Sequence, residues 1–343
     1  MFKSVSYDRR AIGVLTDLEP DDLLAVATLP QAEFYLVGEG DPTLKWARMK
    51  RYAQLLFGSQ GAEKSQVLAG MKSACLSPCE GREFDDGLSI PVDPVTPANG
   101  KSISCDPLDD NYHRDLTYVE AALIQLNLAS DPVLVLMKPP RELLALYTKH
   151  CEDFKNVVYR TDLLAYGGSN FQTLFEDGET SIQDMHDFLG SFRSVTVYDQ
   201  APRSPAQLVT PGDRLTLPMI HNVIAKAAER AHPLWKAVEV AIRKWNREKL
   251  SKCRHKKDTH SKYVAKCIER DPMQVVIADL ALSVIFRLTE GSLRSRLFNC
   301  LLLDDGIVKY RMLANGFSRR WNVIMPLEPK MVDELLAWAM ENV

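Results

Sequence analysis

An apolar run that ends in four closely spaced carboxylates is the feature that most restricts how this chain folds. Residues 13–29 read GVLTDLEPDDLLAVATL. The apolar start is typical of a buried strand, Pro20 fixes a turn, and residues 22–29 look like the start of a helix. A strand, an acidic turn and a helix in this order predict a βα unit.

The alternation of strands and helices continues along the rest of the chain. Further strands are predicted at 33–38, 132–137, 194–198 and within 156–166. Helices are predicted at 43–57, 116–128, 141–150, 217–230, 233–250, 274–288 and 330–341. This order predicts an α/β fold with one Rossmann-like, mostly parallel sheet and helices on both faces. We expect residues 1–343 to form one domain, with a long loop region rich in Pro, Gly and Asp at about 68–116.

Composition and charge restrict the function. The net charge of −3 does not indicate binding to nucleic acid or to a membrane surface. We find neither a secretory signal nor an apolar run of about 18 residues, so a cytoplasmic protein with reduced cysteines is expected. One basic run, at 243–257, has two interpretations: a solvated helix face, or a site for an anionic substrate or acidic partner.

The acidic turn itself is the first candidate for chemistry. Four carboxylates within six residues repel one another unless a cation neutralises them, and hard oxygen ligands suit Ca²⁺ or Mg²⁺. The alternative is an acidic first helical turn without a metal, because the helix dipole also favours negative charge there. The residues alone leave both interpretations open.

The turn resembles the D-x-D-P-G-x-D-D signature of inosine/uridine-preferring nucleoside hydrolases. Asp17, Asp21 and Asp22 match its last three acidic positions. Weaker similarities to that family follow in the same order along the chain: VGEGD at 37–41, FDDGL at 84–88, MKPPREL at 137–143, AYGGSN at 165–170, ADLA at 278–281 and VIMPLEPKMVDELLAWAM at 323–340. The resemblance therefore extends over almost the whole chain.

The resemblance implies a calcium-dependent hydrolase of the N-glycosidic bond. Asp17 would bind Ca²⁺ and activate the attacking water, and Asp22 and Asp279 would be further carboxylate ligands. The backbone carbonyl of Met137 would complete the protein's ligand set. A carboxylate next to a metal that acidifies water is a chemically coherent base, and the transition state of ribosyl transfer resembles an oxocarbenium ion.

The resemblance also implies contacts to a small ribosyl substrate. Asp21 and Asp41 would hold ribose hydroxyls, and Asn170 would lie at the end of a strand next to the substrate. Glu179 falls near the family's E-F-N stretch and would contact the ribose if the alignment shifts by one residue. Members of the family are commonly homodimers or homotetramers, so a homo-oligomer is expected here.

Two of the departures from the family pattern remove a functional side chain. Leu15 replaces the first Asp of the signature, and Ala278 replaces a His that assists the leaving base in some members. His255 and His260 precede the Asp279 helix and are the better placed of the remaining histidines for that role. Two hypotheses follow: a hydrolase of a nucleoside or related compound, or a binding or regulatory protein that keeps the fold, with or without the metal site, and does not hydrolyse.

Overall fold

The computed structural model describes residues 10–39, 42–71, 116–176, 178–198, 214–215, 233–257, 259–270, 272, 275–276, 278–287, 295–298, 300–304, 307–311 and 321–324. The predicted helices at 217–230 and 330–341, and residues 72–115 of the predicted loop region, lie outside these residues.

Twelve strands lie in the described part of the chain. They are β1 (Ile12–Thr16), β2 (Phe34–Val37), β3 (Gln66–Ala69), β4 (Val133–Leu136), β5 (Asp162–Tyr166), β6 (Ser194–Tyr198), β7 (Arg214–Leu215), β8 (Val275–Val276), β9 (Ser295–Phe298), β10 (Cys300–Asp304), β11 (Ile307–Arg311) and β12 (Trp321–Ile324). Eight of them form one sheet in the order β3-β2-β1-β4-β5-β6-β12-β9, and the pairs β10-β11 and β7-β8 are separate antiparallel ribbons.

The described helices alternate with the strands. They are α1 (Pro20–Thr28), α2 (Pro42–Ala62), α3 (Thr117–Leu128), α4 (Arg141–Lys149), α5 (Cys151–Val158), α6 (Gly168–Glu176), α7 (Ile182–Leu189), α8 (Pro233–His255), α9 (Thr259–Arg270) and α10 (Ala278–Arg287). Helix α2 is interrupted at Gly58, whose φ of 70° and ψ of 170° are not helical. No described helix is both long enough and apolar enough to cross a membrane.

Seven strands of the main sheet are parallel, and only the edge strand β9 is antiparallel to its neighbour. In register, Leu15 of β1 lies opposite Leu36 of β2 and Leu136 of β4. The segments that follow these three strands therefore lie side by side at the carboxyl edge of the sheet, where parallel α/β folds bind ligands. The predicted α/β fold with a mostly parallel sheet is confirmed.

The core has two layers because successive residues of each strand face opposite sides of the sheet. Val14 packs with residues of α1, α2, α8 and α10, whereas Leu15 packs with residues of α3 to α7. Both side chains have no solvent exposure. Helices therefore cover both faces, as the nearly continuous apolar strands predict.

The predicted boundaries agree with the structure only in part. The strand predicted within 156–166 is confirmed as Asp162–Tyr166, and residues 156–158 before it belong to α5. The Gly-rich stretch after β5 is the first turn of α6. Leu68 and Ala69 end β3, so the described start of the predicted loop region is a strand.

Candidate functional site

The turn between β1 and α1 is built around one carboxylate. Asp22 Oδ2 accepts hydrogen bonds from Thr16 Oγ1 at 2.5 Å, from the Asp17 N–H at 2.9 Å and from the Leu18 N–H at 3.0 Å. Leu18 has a φ of 57°, which bulky side chains rarely adopt. Pro20 opens the helix, where its missing N–H costs nothing. The Asp22 side chain therefore holds a strained turn in a fixed shape.

Three aspartates from two helices meet next to this turn. One carboxylate oxygen each from Asp21 and Asp22 of α1 and from Asp279 of α10 lie within 4.8 Å of one another, and all three residues are buried. The helices are held together by Ser283 Oγ, which donates to the Ala25 carbonyl at 2.9 Å. We call Asp21, Asp22 and Asp279 the aspartate cluster.

Each member of the aspartate cluster has one oxygen without a hydrogen-bond donor. The Oδ1 atoms of Asp21, Asp22 and Asp279 are buried and accept no hydrogen bond from any described residue. Such atoms are rare in folded proteins, because a buried polar group without a partner costs about 1–3 kcal/mol. Three buried carboxylates close together, each with one such oxygen, are the donor type that a hard cation such as Ca²⁺ prefers, so the residues fit a metal.

Burial and mutual repulsion raise the pKa values of these carboxyls. Burial, followed by the charge of Asp17, raises the pKa of Asp21 to about 6. Burial and the neighbouring aspartates also raise the pKa values of Asp22 and Asp279 well above the ordinary range. Burial and the charges of Asp17 and Asp21 raise the pKa of Glu19 to about 8. A cation at the centre would offset this repulsion.

A second group of charges lies at the same edge of the sheet. Lys138 Nζ lies 2.6 Å from Glu142 Oε2, and both side chains are buried. Arg141 pairs with Glu39 at 3.0 Å and also with Glu179. Glu39, directly after β2, has a φ of 60°. The first turn of α4 is therefore tied by ion pairs to the segment that follows β2.

Comparisons with known proteins identify the fold. No protein-family model matches the sequence, and no curated protein does. A solved plant nucleoside hydrolase, the PpNRh1 enzyme, is 12% identical with a TM-score of 0.57, over 97% of this chain and 99% of that one. The inosine-uridine preferring nucleoside hydrolase from Bacillus anthracis is 10% identical with a TM-score of 0.58, over 98% of this chain and 100% of that one. An inosine-guanosine nucleoside hydrolase is 12% identical with a TM-score of 0.54, over 97% and 99%. The chain has the nucleoside hydrolase fold.

Within this nucleoside hydrolase fold, two of the predicted metal ligands, Asp22 and Asp279, meet in the aspartate cluster, together with Asp21. Asp17 lies next to them, because its N–H donates to Asp22 Oδ2 at 2.9 Å, and its Oδ1 accepts from the Glu19 N–H at 3.2 Å. Met137 directly follows β4, and its N–H donates to the Leu15 carbonyl at 2.9 Å. The roles of these residues as ligands stay predictions.

The predicted substrate contacts lie in different surroundings. Asn170 is buried in the first turn of α6, and its Nδ2 has no acceptor among the described residues. Glu179 is paired with Arg141, an interaction that the sequence did not predict. Asp41 lies outside the described residues. The sequence analysis also missed the pairing of Lys138 with Glu142, although the i,i+4 spacing of opposite charges indicates it.

The basic residues at 243–257 have different surroundings. Arg243 pairs with Glu239, and Arg254 pairs with Glu269, as expected for a solvated helix face. Lys249 Nζ instead lies 3.9 Å from the centre of the buried Trp245 ring, and its charge partly offsets the rise in the pKa of Glu19. One lysine of the run therefore lies near the acidic turn.

The substituted positions can also be placed. Leu15, which replaces an acidic residue of the family signature, is fully buried in the hydrophobic layer of α3 to α7. Ala278 begins α10, immediately before Asp279. His255 is exposed at the end of α8. Cys253 and Cys267 are free thiols.

Proposed function

We propose that this protein is a Ca²⁺-dependent hydrolase of the N-glycosidic bond in a nucleoside or a related small ribosyl compound. The observation that carries the proposal is the aspartate cluster, whose three buried Oδ1 atoms have no described donor. The three similar structures are named as nucleoside hydrolases, and this supports the same class of reaction.

The chain's own residues have distinct roles in the proposed reaction. Asp22, fixed through Oδ2, would offer Oδ1 to the ion together with Asp279 and the Met137 carbonyl. When bound, Ca²⁺ would lower the pKa of a water molecule and neutralise the carboxylates. Asp17 would take the proton from that water as general base.

The water oxygen would then attack the anomeric carbon while the bond from that carbon to the nucleobase nitrogen breaks. The nucleobase would leave with the electron pair of that bond and take up one proton from the solvent. Asp21, in the aspartate cluster, would hold a ribose hydroxyl, and Asn170 and Glu179 would contact the sugar. Fixing the sugar relative to Asp17 supplies orientation, which can lower the barrier by several kcal/mol.

The proposal is tested by incubating the protein with a panel of nucleosides, nucleotides and NAD-like compounds, with Ca²⁺ or with EDTA. We expect release of reducing sugar from at least one compound with Ca²⁺, and loss of that activity with EDTA or in Asp17→Ala. Asp153→Ala, an exposed substitution on α5, is the matched control and should keep full activity. Absence of turnover with every compound in Ca²⁺ would contradict the proposal.

A second candidate function is a binding or regulatory protein that keeps the fold without hydrolysis. The burial of Leu15 in the core and the engagement of Glu179 by Arg141 favour it, because both remove polar groups that the resemblance places near the substrate. It predicts stabilisation by Ca²⁺ and a ribosyl ligand without product. Measured turnover that Asp17→Ala abolishes would eliminate it.

A further inference from the structure

The Lys138–Glu142 ion pair is one of the most deeply buried polar features described. The two side chains are 0% and 1% exposed. Lys138 Nζ also donates to the Pro139 carbonyl at 3.3 Å, and Glu142 Oε1 accepts from the Met71 N–H at 2.7 Å. The pair therefore joins the segment after β4 to the first turn of α4 and to the segment after β3.

The ion pair fills space that is open only because residues 38 and 70 are glycines without a side chain. A Cβ atom on Gly38 would lie 2.8 Å from both Lys138 Nζ and Glu142 Oε1. A Cβ atom on Gly70 would collide with Glu142 Oε1 and lie 2.9 Å from the Val37 carbonyl oxygen. Gly38 follows β2 and Gly70 follows β3, so the pair lies against the segments that follow β2, β3 and β4.

Stability does not explain such a pair. The cost of removing two charges from water is often as large as their attraction, and apolar residues of similar volume commonly stabilise a fold as well or better. The pair does supply directional hydrogen bonds. Lys138 donates to Glu142 and to the Pro139 carbonyl, and Glu142 accepts from the backbone N–H of Met71. A group held in this way has little freedom to shift.

The turn that the pair fixes follows β4, and it lies beside the acidic turn that follows the neighbouring strand β1. The Met137 carbonyl is part of the peptide bond between Met137 and Lys138. The Met137 N–H donates to the carbonyl of Leu15 in β1, two residues before Asp17. We propose that the Lys138–Glu142 pair is a positioning device that fixes the Met137–Lys138 peptide for cation binding. This inference rests on the proposed Ca²⁺ site.

The test compares Ca²⁺ affinity, measured by calorimetric titration, in the wild type and in Lys138→Met/Glu142→Gln. The double variant removes both charges but keeps an oxygen acceptor for Met71. Misplaced partners of metal ligands typically weaken metal binding 10–100-fold, and we expect a decrease in this range. Circular dichroism and the melting temperature in EDTA establish that the variant is folded.

The matched control is Glu239→Gln/Arg243→Met, which removes an i,i+4 pair on the surface of α8 and should leave Ca²⁺ affinity unchanged. If the double variant does not fold, Lys138→Met alone keeps the hydrogen bond from the Met71 N–H to Glu142 and should still weaken Ca²⁺ binding. If a folded variant that lacks these charges binds Ca²⁺ with wild-type affinity, the positioning role is overturned and the proposed metal-dependent function is not affected. A wild type that does not bind Ca²⁺ would overturn both this role and the proposed metal-dependent function.

Discussion

Asp22 uses its two carboxylate oxygens for different purposes. Oδ2 accepts three hydrogen bonds that close the turn before α1, whereas Oδ1 is buried without a described donor. The first oxygen supports the fold, and the second is available to a cation. Substitutions at this residue can therefore separate the two purposes.

We expect Asp22→Asn to keep the turn and lose metal binding, because an amide oxygen can accept the same three hydrogen bonds while the NH₂ group opposes a cation. Asp22→Ala should destabilise the fold more, since each buried donor left without an acceptor costs about 1–3 kcal/mol. Urea denaturation in EDTA measures the stability, and calorimetric titration measures Ca²⁺ binding. Equal stability of the two variants would contradict this division of roles.

The raised carboxyl pKa values predict how stability depends on pH. In the unfolded chain these groups ionise near pH 4, whereas in the folded metal-free protein the pKa of Asp21 is about 6 and those of Asp22 and Asp279 are also raised. The folded state therefore binds more protons over this interval, and its stability is lost as the pH rises.

We accordingly expect the melting temperature in EDTA to fall between pH 5 and pH 8, and saturating Ca²⁺ to reverse the fall. Asp279→Asn should flatten the metal-free profile, because it removes one ionisable member of the aspartate cluster. A melting temperature in EDTA that rises over this interval would contradict the assignment of these pKa shifts.

The sequence was sufficient to choose Asp17, Asp21 and Asp22 as candidate site residues, because their spacing around Pro20 can be recognised in the sequence itself. It did not indicate that Thr16 would close the turn, since a single threonine carries no pattern. The pairing of Glu179 with Arg141 was equally hidden, because it depends on how two distant segments meet.

At the scale of elements, the edge strand β3 is covered by side chains instead of a further described strand. Trp46 Nε1 donates to the Val67 carbonyl at 2.7 Å, and the Tyr118 hydroxyl donates to the Ala69 carbonyl at 2.6 Å. These two carbonyls face an open groove of about 690 Å³ between α2 and α3. Occupied acceptors on an edge strand reduce its tendency to pair with another chain.

We expect Trp46→Phe/Tyr118→Phe to increase aggregation well below the melting temperature, because both carbonyls lose their donors while the aromatic packing is largely kept. Light scattering during incubation measures the effect. Tyr159→Phe, at an exposed tyrosine beyond α5, is the control and should not aggregate faster than the wild type. No difference between the double variant and the wild type would show that these hydrogen bonds do not protect the edge.

The elements that sequence reasoning missed have identifiable causes. Helix α6 begins with Gly168 and Ser169, which are poor helix formers, so tertiary packing decides its conformation. The ribbon of β10 and β11 could have been found, because the dipeptide Asp305-Gly306 between two apolar runs is a strong hairpin signal. Strand β3 is short and only partly buried, so its apolar pattern is weak.

At the scale of the whole molecule, the two edges of the sheet differ. The aspartate cluster lies at the carboxyl edge, whereas Arg10, Asp131, Asp162 and Arg193 form an ionic network at the amino edge. Although burial alone would raise the pKa of Asp162, hydrogen bonds from Arg193 and Ser194 hold it below the ordinary value. This carboxylate therefore stabilises the fold, and the stabilisation is lost as the pH falls.

We expect Asp162→Asn to lower the free energy of unfolding by about 1–3 kcal/mol, because hydrogen bonds to charged groups are lost. Ca²⁺ affinity at the opposite edge should stay unchanged. Denaturant titration and calorimetry measure the two quantities on the same preparation, with the exposed Asp153→Asn as control. A change in Ca²⁺ affinity would show that the two edges are coupled.

The enclosure of the Lys138–Glu142 pair by Gly38 and Gly70 has a consequence for the evolution of this chain. Lys138 is buried with the acid at 142, and a Cβ atom at 38 or 70 would displace the ends of these side chains, so a substitution at one of the four positions disturbs the others. Sequences descended from the same ancestor should therefore show the four changing together, and a lineage that loses the acid should lose the lysine with it.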